Sequence, residues 1–341
     1  MMDQEGDDGT AGQSRNSERR WSIVMAGCEG ERVQPFIQRW LGHSKPKQYC
    51  TFVGTRSLFQ HALDRAARLS RLDRIVTVIP REHRPEVWSQ LEGRAVGTVL
   101  LQPKNRDTAA GVFLSLTYIR ARDPEAVVVI YPSDHFVYPE ERFLKLVQRA
   151  AWTAECLPDR LIYLGVSPDG LELDHGWILP GEKLDGSPRF QIRAVDSFLE
   201  NPTVPEADAA LAKGALWSTS VLVAKAPLLW ELGWRCFADM MPHFERLSHS
   251  IGTSLEVRTL DEVYREMPSH NFSAELLRQV PDQAAVIEMN GVLWSNWGKP
   301  ERIVHSLRQI GRQPAFPLAC LSRPFAPISL VGSENVVLAD V

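Results

Sequence analysis

Four short, almost unbroken apolar runs constrain what this chain can fold into: "SIVMAG" at 22–27, "RIVTVIP" at 74–80, "TVLLQP" at 98–103 and "AVVVIYPSDH" at 126–135. They are rich in β-branched residues, too short for core helices, and bounded by Gly or Pro, so they read as strands. A strand with one face in water alternates apolar and polar residues; a continuous run requires cover on both faces. The cover is visible between the runs. "SLFQHALDRAARLS" places Leu58, Ala62 and Ala66 at helical spacing, and "TAAGVFLSLTYIRAR" reads as a second helix. Strands separated by amphipathic helices predict an α/β domain with a parallel central sheet flanked by helices.

Further along, "DRLIYLGV", "QIRAVDSFLE" and "STSVLVAKA" read as strands and the segments after them as mixed helix. "ERIVHSLRQIG" reads as a helix closed by Gly311. No internal repeat is visible. Residues 1–20 are polar, rich in Gly and charge, and are expected to form a disordered tail. From residue 313, with Pro314 and Pro317, a poorly packed tail or short accessory segment is expected.

Composition narrows the class. The chain has 341 residues, 44% hydrophobic and 23% charged, as in an ordinary soluble globular protein. A net charge of −4 gives no electrostatic reason to expect nucleic acid or an anionic membrane as partner. No apolar run approaches the ~18–20 residues of a membrane helix. The N-terminus lacks an apolar h-region, so no secretory signal is expected. Five scattered cysteines (Cys28, Cys50, Cys156, Cys236, Cys320) form no CxxC pair and no Cys/His zinc spacing, so a reducing, cytoplasmic setting is the expectation. A homo-oligomer is compatible with the sequence, and no feature sets a copy number.

Ligands of open parallel sheets bind at the carboxyl ends of the strands, and polar clusters fall at such ends. Gly27-x-x-Gly30-x-Arg32 combines glycines that let a backbone approach an anion with a guanidinium fork. It matches neither GxGxxG nor the P-loop, and alone it equally describes an ordinary βα turn. In "KPKQY", Pro46 stiffens the backbone before Lys47, which otherwise reads as a surface charge. Asp134, after the most apolar strand, either caps a helix or holds a cation. "QPKNRDTAAG" puts Asn105, Arg106 and Thr108 between a strand and a helix.

Taken in order, "AGxxGxR", "PKQ", "QPxNRxTAAG", "PSDH", "HGWI", "FLENP", "LWS", "NFSAELL" and "WSNWG" resemble the sugar-1-phosphate nucleotidyltransferases, most closely their mannose-1-phosphate guanylyltransferase branch. The likeness runs from about residue 21 to 311. It implies a Rossmann-like, glycosyltransferase-A-like nucleotidyltransferase fold over 21–312, with GTP (or another nucleoside triphosphate) and a sugar 1-phosphate as substrates and Mg²⁺ as cofactor. The isomerase domain fused to some family members is not expected, because the chain ends soon after the match. By position, Gly27, Gly30 and Arg32 would cradle the triphosphate, and Lys47 would sit over the phosphates undergoing exchange. Gln102, Arg106 and Thr108 would border base and ribose. Asp134 and Asn296 would stand at the metal. Gly176 and Trp177, beside His175, would meet the sugar, together with Glu200, Asn201 and Ser218. Arg32, Lys47 and Asp134 would be the catalytic set.

Five places depart from the family pattern, one of them Trp217-Ser218-Thr219 where the family usually has Trp-Asn-Ser. Cys28 and Glu31 replace a glycine and a threonine of the loop. Asn201 replaces a lysine that pairs with the sugar phosphate, and Asn296 a second metal-binding aspartate. Losing a charge-assisted contact costs about 1.5–3 kcal/mol where desolvated, and the low end is about tenfold in rate or binding. Two readings follow: an active transferase, or a weakened relative that binds nucleotide or nucleotide sugar and acts through a partner protein. A nicotinamide oxidoreductase would share only the fold class, and the chain lacks the GxGxxG turn.

Overall fold

The four apolar runs become neighbouring parallel strands. β1 (Arg20–Met25), β2 (Ile75–Pro80), β3 (Thr98–Gln102) and β4 (Val127–Pro132) lie in the order β3-β2-β1-β4. The computed structural model describes residues 19–184 and 191–321. In β1, Trp21 and Ile23 enter one core cluster and Val24 the other; in β4, Val128 and Ile130 oppose Val127, Val129 and Tyr131. Both faces are buried, which is why these runs show no polar alternation.

β9 (Leu216–Lys225) pairs antiparallel with β4 and extends the sheet through β6 (Leu161–Val166), β10 (Ala284–Glu288), β8 (Ile192–Glu200) and β7 (Gly176–Lys183). Of the nine strands of this sheet only β8 and β9 run against the others, so most strands share one direction, as the sequence predicts, while every pairing of β8 and β9 is antiparallel. β5 (Phe136–Tyr138) and β11 (Leu293–Ser295) form a separate antiparallel pair beside the carboxyl end of β4. Helices Asp107–Arg120, Ala226–Cys236, Met241–Ser248, Glu256–Glu266 and Phe272–Gln279 cover one face. Leu58–Leu69, Glu140–Cys156 and Val204–Ala212 cover the other. Local signals set their starts. Ser57 with Gln60 and Thr203 with Glu206 form capping boxes, and Asn271 caps Phe272–Gln279. Among the described residues no helix is long and apolar enough to cross a membrane.

A third, smaller cluster positions the site. Phe36 and Ile37 of helix Gln34–Leu41 pack with Phe52, Trp297, Ile303 and Leu307, joining the segment after β1 to helix Pro300–Gln309. Trp297 stacks on Phe136 at 4.4 Å and meets Phe52 edge-on at 5.5 Å. Phe316 is buried against Phe36 at 4.9 Å, with Cys320 and Leu321 partly buried on the same cluster, so the segment from residue 313 to 321, expected as a poorly packed tail or a short accessory segment, is anchored there although most of its residues are exposed. Gly311 takes the left-handed conformation (φ +65°) past helix Pro300–Gln309, as predicted. β1 begins at Arg20, inside the segment expected to be a tail, because Arg20 is buried and reaches the Leu69 carbonyl at 3.4 Å. The rest of that tail, residues 1–18, and residues 322–341 lie outside the described residues.

Candidate active site

The segment between β1 and helix Gln34–Leu41 is the expected loop, and close approach dictates its Gly30. Gly30 sits at φ +65°, and a Cβ there would lie 2.6 Å from Lys47 Cβ. Only glycine lets the loop rest directly on Lys47 in that conformation. Gly27 faces Gln102, whose Oε1 would stand 3.6 Å from an added Cβ. Gln102 is buried and donates to the Tyr264 hydroxyl at 3.2 Å.

Beneath the loop, Lys47 Nζ lies 2.8 Å from Asp134 Oδ2, with side chains 5% and 9% exposed. The same ammonium donates to the Asn296 carbonyl at 2.5 Å, across 249 residues of sequence. Lys47, Asp134 and Asn296 are therefore one cluster at the carboxyl ends of the central strands. Burial raises the Asp134 carboxyl, but Lys47 and His135 outweigh it, leaving it at about 2 and ionised at neutral pH. The Asn296 side chain is turned into the backbone, its Oδ1 accepting from Gly298 N–H at 3.0 Å. The Cys28 thiol is pushed up to about 11 by desolvation and by the nearby Asp134 carboxylate, so it is protonated at neutral pH.

The loop's acids and its arginine are each engaged or solvent-facing. Glu29 bonds His83 at 2.7 Å. Glu31 is exposed in the first turn of a short 3₁₀ helix, Glu31–Val33, where an acid is favourable. Arg32 pairs with Asp174 at 2.7 Å, both side chains about half exposed.

On the far side, Gly176 lies opposite Glu200 in the β7–β8 register, and a Cβ on Gly176 would strike Phe198 Cζ at 2.6 Å. Burial raises the Glu200 carboxyl. Asn201 follows at φ +48°, and Ser218 is buried on β9, the strand that also pairs with β7. An aromatic chain links this side to Asp134. His175 stacks on Trp217 at 4.7 Å and meets Trp294 at 5.5 Å, and Trp294 meets His135 at 5.2 Å. Burial pushes both imidazoles down to about 4, so they are neutral near pH 7. Four buried ring nitrogens of this set (His135 Nδ1, His175 Nδ1, Trp217 Nε1, Trp294 Nε1) have no hydrogen-bond partner. Buried polar atoms are ordinarily partnered, so the set has bonding capacity to offer a polar ligand.

Three expected contacts fall elsewhere. Arg106 donates to the Tyr264 and Arg265 carbonyls at 2.8 and 2.6 Å, capping the end of helix Glu256–Glu266. Thr108 accepts from Phe272 N–H at 2.8 Å and so holds the start of helix Phe272–Gln279. Trp177 is fully buried, its indole N–H given to the Glu172 carbonyl at 3.0 Å. Each therefore has a bond to backbone in this structure, while Thr108 is exposed and Arg106 half-buried. Conversely, His83 and Asp174 lie beside these residues and sequence order did not single them out; Trp294 was signalled only as the first residue of "WSNWG", and His135 only by its place after Asp134.

This arrangement can hold a phosphate chain over a buried cation and keep an ionised carboxylate beside it. Residues 21–237 match the nucleotidyl transferase family model. The chain belongs to the nucleotidyl transferase family. It is 28% identical over 286 residues to a mannose-1-phosphate guanylyltransferase of Salmonella montevideo, covering 81% of this chain and 57% of that protein. It is 29% identical over 331 residues to the xanthan biosynthesis protein XanB of Xanthomonas campestris pv. campestris, covering 93% and 68%. The chain thus spans little more than half of the guanylyltransferases it matches, 57% and 58% of the first two. Among solved structures, one described as a mannose-1-phosphate geranyltransferase from Thermus thermophilus superposes with a TM-score of 0.71 at 24% identity, covering 84% of this chain and 79% of that one. That likeness shows a nucleotidyl transferase fold, in agreement with the architecture expected from the motifs.

Proposed function

We propose that the protein transfers a nucleotidyl group from GTP to mannose 1-phosphate, releasing pyrophosphate. The observation that carries this reading is the buried Lys47–Asp134 pair directly under the Gly30 turn. The names of the similar guanylyltransferases favour guanine and mannose over other pairings.

In the proposed reaction an oxygen of the sugar phosphate attacks the α-phosphorus, the new P–O bond forms, and the α–β bridging bond breaks with pyrophosphate leaving. The nucleophile is already anionic, so no base is demanded; positioning and charge neutralisation supply the rate. Lys47 is fixed by Asp134 and the Asn296 carbonyl, and meets developing phosphate charge without reorganising. Arg32 reaches the triphosphate by exchanging its Asp174 partner for phosphate oxygens. Gly176 and Glu200 accept the sugar, beside the buried His175, Trp217 and Trp294 rings.

The donor set fits a magnesium ion held largely by substrate phosphates: Asp134 is ionised, with Oδ2 on Lys47 and Oδ1 3.5 Å from His135 Nε2. Asp134 would hold the ion, with Asn296 contributing at most one amide oxygen. When bound, Mg²⁺ supplies neutralisation of the phosphate charge. Mass-spectrometric detection of a GDP-sugar after incubation with GTP, mannose 1-phosphate and Mg²⁺ tests the reading; no nucleotide sugar from any triphosphate and sugar-phosphate pairing refutes it.

A second reading, a weakened relative that binds nucleotide or nucleotide sugar and works through a partner protein, is favoured by two contacts. The Asn296 side chain is committed to Gly298, and Arg32 to Asp174. Tight nucleotide binding without product would select it, and robust turnover would exclude it.

A further inference from the structure

Two acids in a phosphate loop need an explanation, and Glu29 has one. Its Oε1 is 2.7 Å from Nε2 of His83, whose side chain is 6% exposed against 46% for Glu29. His83 lies in the 3₁₀ turn Arg81–His83 that follows β2, and its Nδ1 is 3.2 Å from the Tyr49 hydroxyl. The two rings meet edge to face at 5.4 Å and 88°. The Tyr49 hydroxyl in turn is 3.3 Å from the Ala26 carbonyl, which also accepts from Gln48 Nε2 at 3.1 Å. At the other end of the loop, Gln34 Nε2 donates to the Glu29 carbonyl at 2.8 Å and to the Lys45 carbonyl at 2.9 Å.

Donor counting fixes the proton on His83. A carboxylate only accepts, so Nε2 carries a hydrogen for Glu29. A neutral ring then takes the Tyr49 proton on Nδ1; a charged ring donates from Nδ1 and sends the Tyr49 proton to Ala26. Burial raises the Tyr49 hydroxyl well above its ordinary range, so it keeps its proton in either case. Either arrangement ties the loop's acid to the buried imidazole; the hydroxyl has a single proton, so the Ala26 carbonyl is linked to it only when the ring is charged and donates from Nδ1.

We propose that His83 and Tyr49 are positioning residues for the triphosphate loop, His83 turning Glu29 away from the bound anion and Tyr49, held by the same ring, fixing the Ala26 carbonyl when the ring is charged, so that the loop keeps its phosphate-facing shape. The inference rests on the nucleotide reading of the Gly27–Gly30 loop. Its specific content is electrostatic. Without His83, Glu29 swings free and places a negative charge beside the triphosphate.

The test compares wild type, His83→Ala, Tyr49→Phe, Glu29→Gln and the His83→Ala/Glu29→Gln double variant in steady-state turnover. His83→Ala is expected to raise the KM for the triphosphate about tenfold with kcat within about threefold, and the double variant to recover most of that loss. Rescue by removing a charge is something a purely architectural histidine would not give. An unchanged KM in His83→Ala, or an equal loss in the double variant, overturns the proposal. Amide hydrogen exchange across residues 26–32 keeps it testable apart from activity. Tyr49→Phe, which removes one hydroxyl from a packed ring, is expected to speed exchange there about tenfold or more, and unchanged exchange overturns the relay. Should wild type turn over no substrate while the exchange result holds, the reading of the reaction fails and the relay stands.

Discussion

Replacing Lys47 by methionine leaves the Asp134 carboxylate buried without its cation. The paired atoms are 2.8 Å apart and their side chains 5% and 9% exposed, so water neither screens the contact nor replaces it. Breaking such a pair from one side costs about 3–5 kcal/mol. The pH dependence follows from the carboxyl. Burial raises it, yet Lys47 and His135 bring it to about 2, below the ordinary value of about 3.9. A carboxyl depressed on folding stabilises the fold fully above its unfolded pKa, and the contribution is lost as pH falls from about 4 through about 2; it amounts to about 2–3 kcal/mol at neutral pH. In the variant, burial becomes the leading influence, the folded pKa lies above the unfolded one, and the sign reverses. The deficit relative to wild type is therefore widest near pH 7 and narrows toward pH 4. Urea unfolding of wild type, Lys47→Met and Lys47→Met/Asp134→Asn at pH 7, 5 and 4 reads it directly. The double variant is expected to regain more than half of the loss. A deficit independent of pH, or a double variant no more stable than the single, rules out the electrostatic origin of the loss.

Three further outcomes are expected. Asp174→Asn frees Arg32, and since a half-exposed pair is worth about 0.5–1 kcal/mol, the KM for the triphosphate should fall about two- to fivefold; a rise would show that Asp174 aids binding. Gly30→Ala forces a Cβ to within 2.6 Å of Lys47 at φ +65°. It should cost at least about 1 kcal/mol in thermal unfolding and lower turnover, while equal stability would mean that the loop relaxes freely. Asn201→Lys with Asn296→Asp restores two charges and should raise turnover about tenfold or more, with no gain counting against both assigned roles.

The architecture was legible where burial was two-sided. β1, β2 and β4 announce themselves because both faces sit in core clusters. β7 did not, because glycines and a proline interrupt "GWILPGEK", although its pairing with both β8 and β9 secures it. β10, "AAVIE", is short and alanine-rich, and β5 and β11 have three residues each, too few for a period to show. At the site, motif order named Lys47, Asp134 and Asn296, and the fold brings the three into contact. Order gives no orientation, however: Arg106, Thr108 and Trp177 lie in the expected segments with their polar atoms turned to backbone. Nor does it give long-range pairing. Glu29 and His83 are 54 residues apart, and nothing local to either forecasts their bond.

Whether a buried cation–carboxylate pair under a glycine turn serves nucleotidyl transfer can be decided by one set of rates. These are the initial rates of pyrophosphate release by wild type and Asp134→Asn with Mg²⁺, over a panel of nucleoside triphosphates each paired with mannose 1-phosphate, glucose 1-phosphate or no sugar. Release is expected to require the sugar phosphate, to be fastest with GTP and mannose 1-phosphate, and to fall at least about a hundredfold in Asp134→Asn. Release by no pairing, or a rate untouched by Asp134→Asn, would contradict the proposed role of the pair.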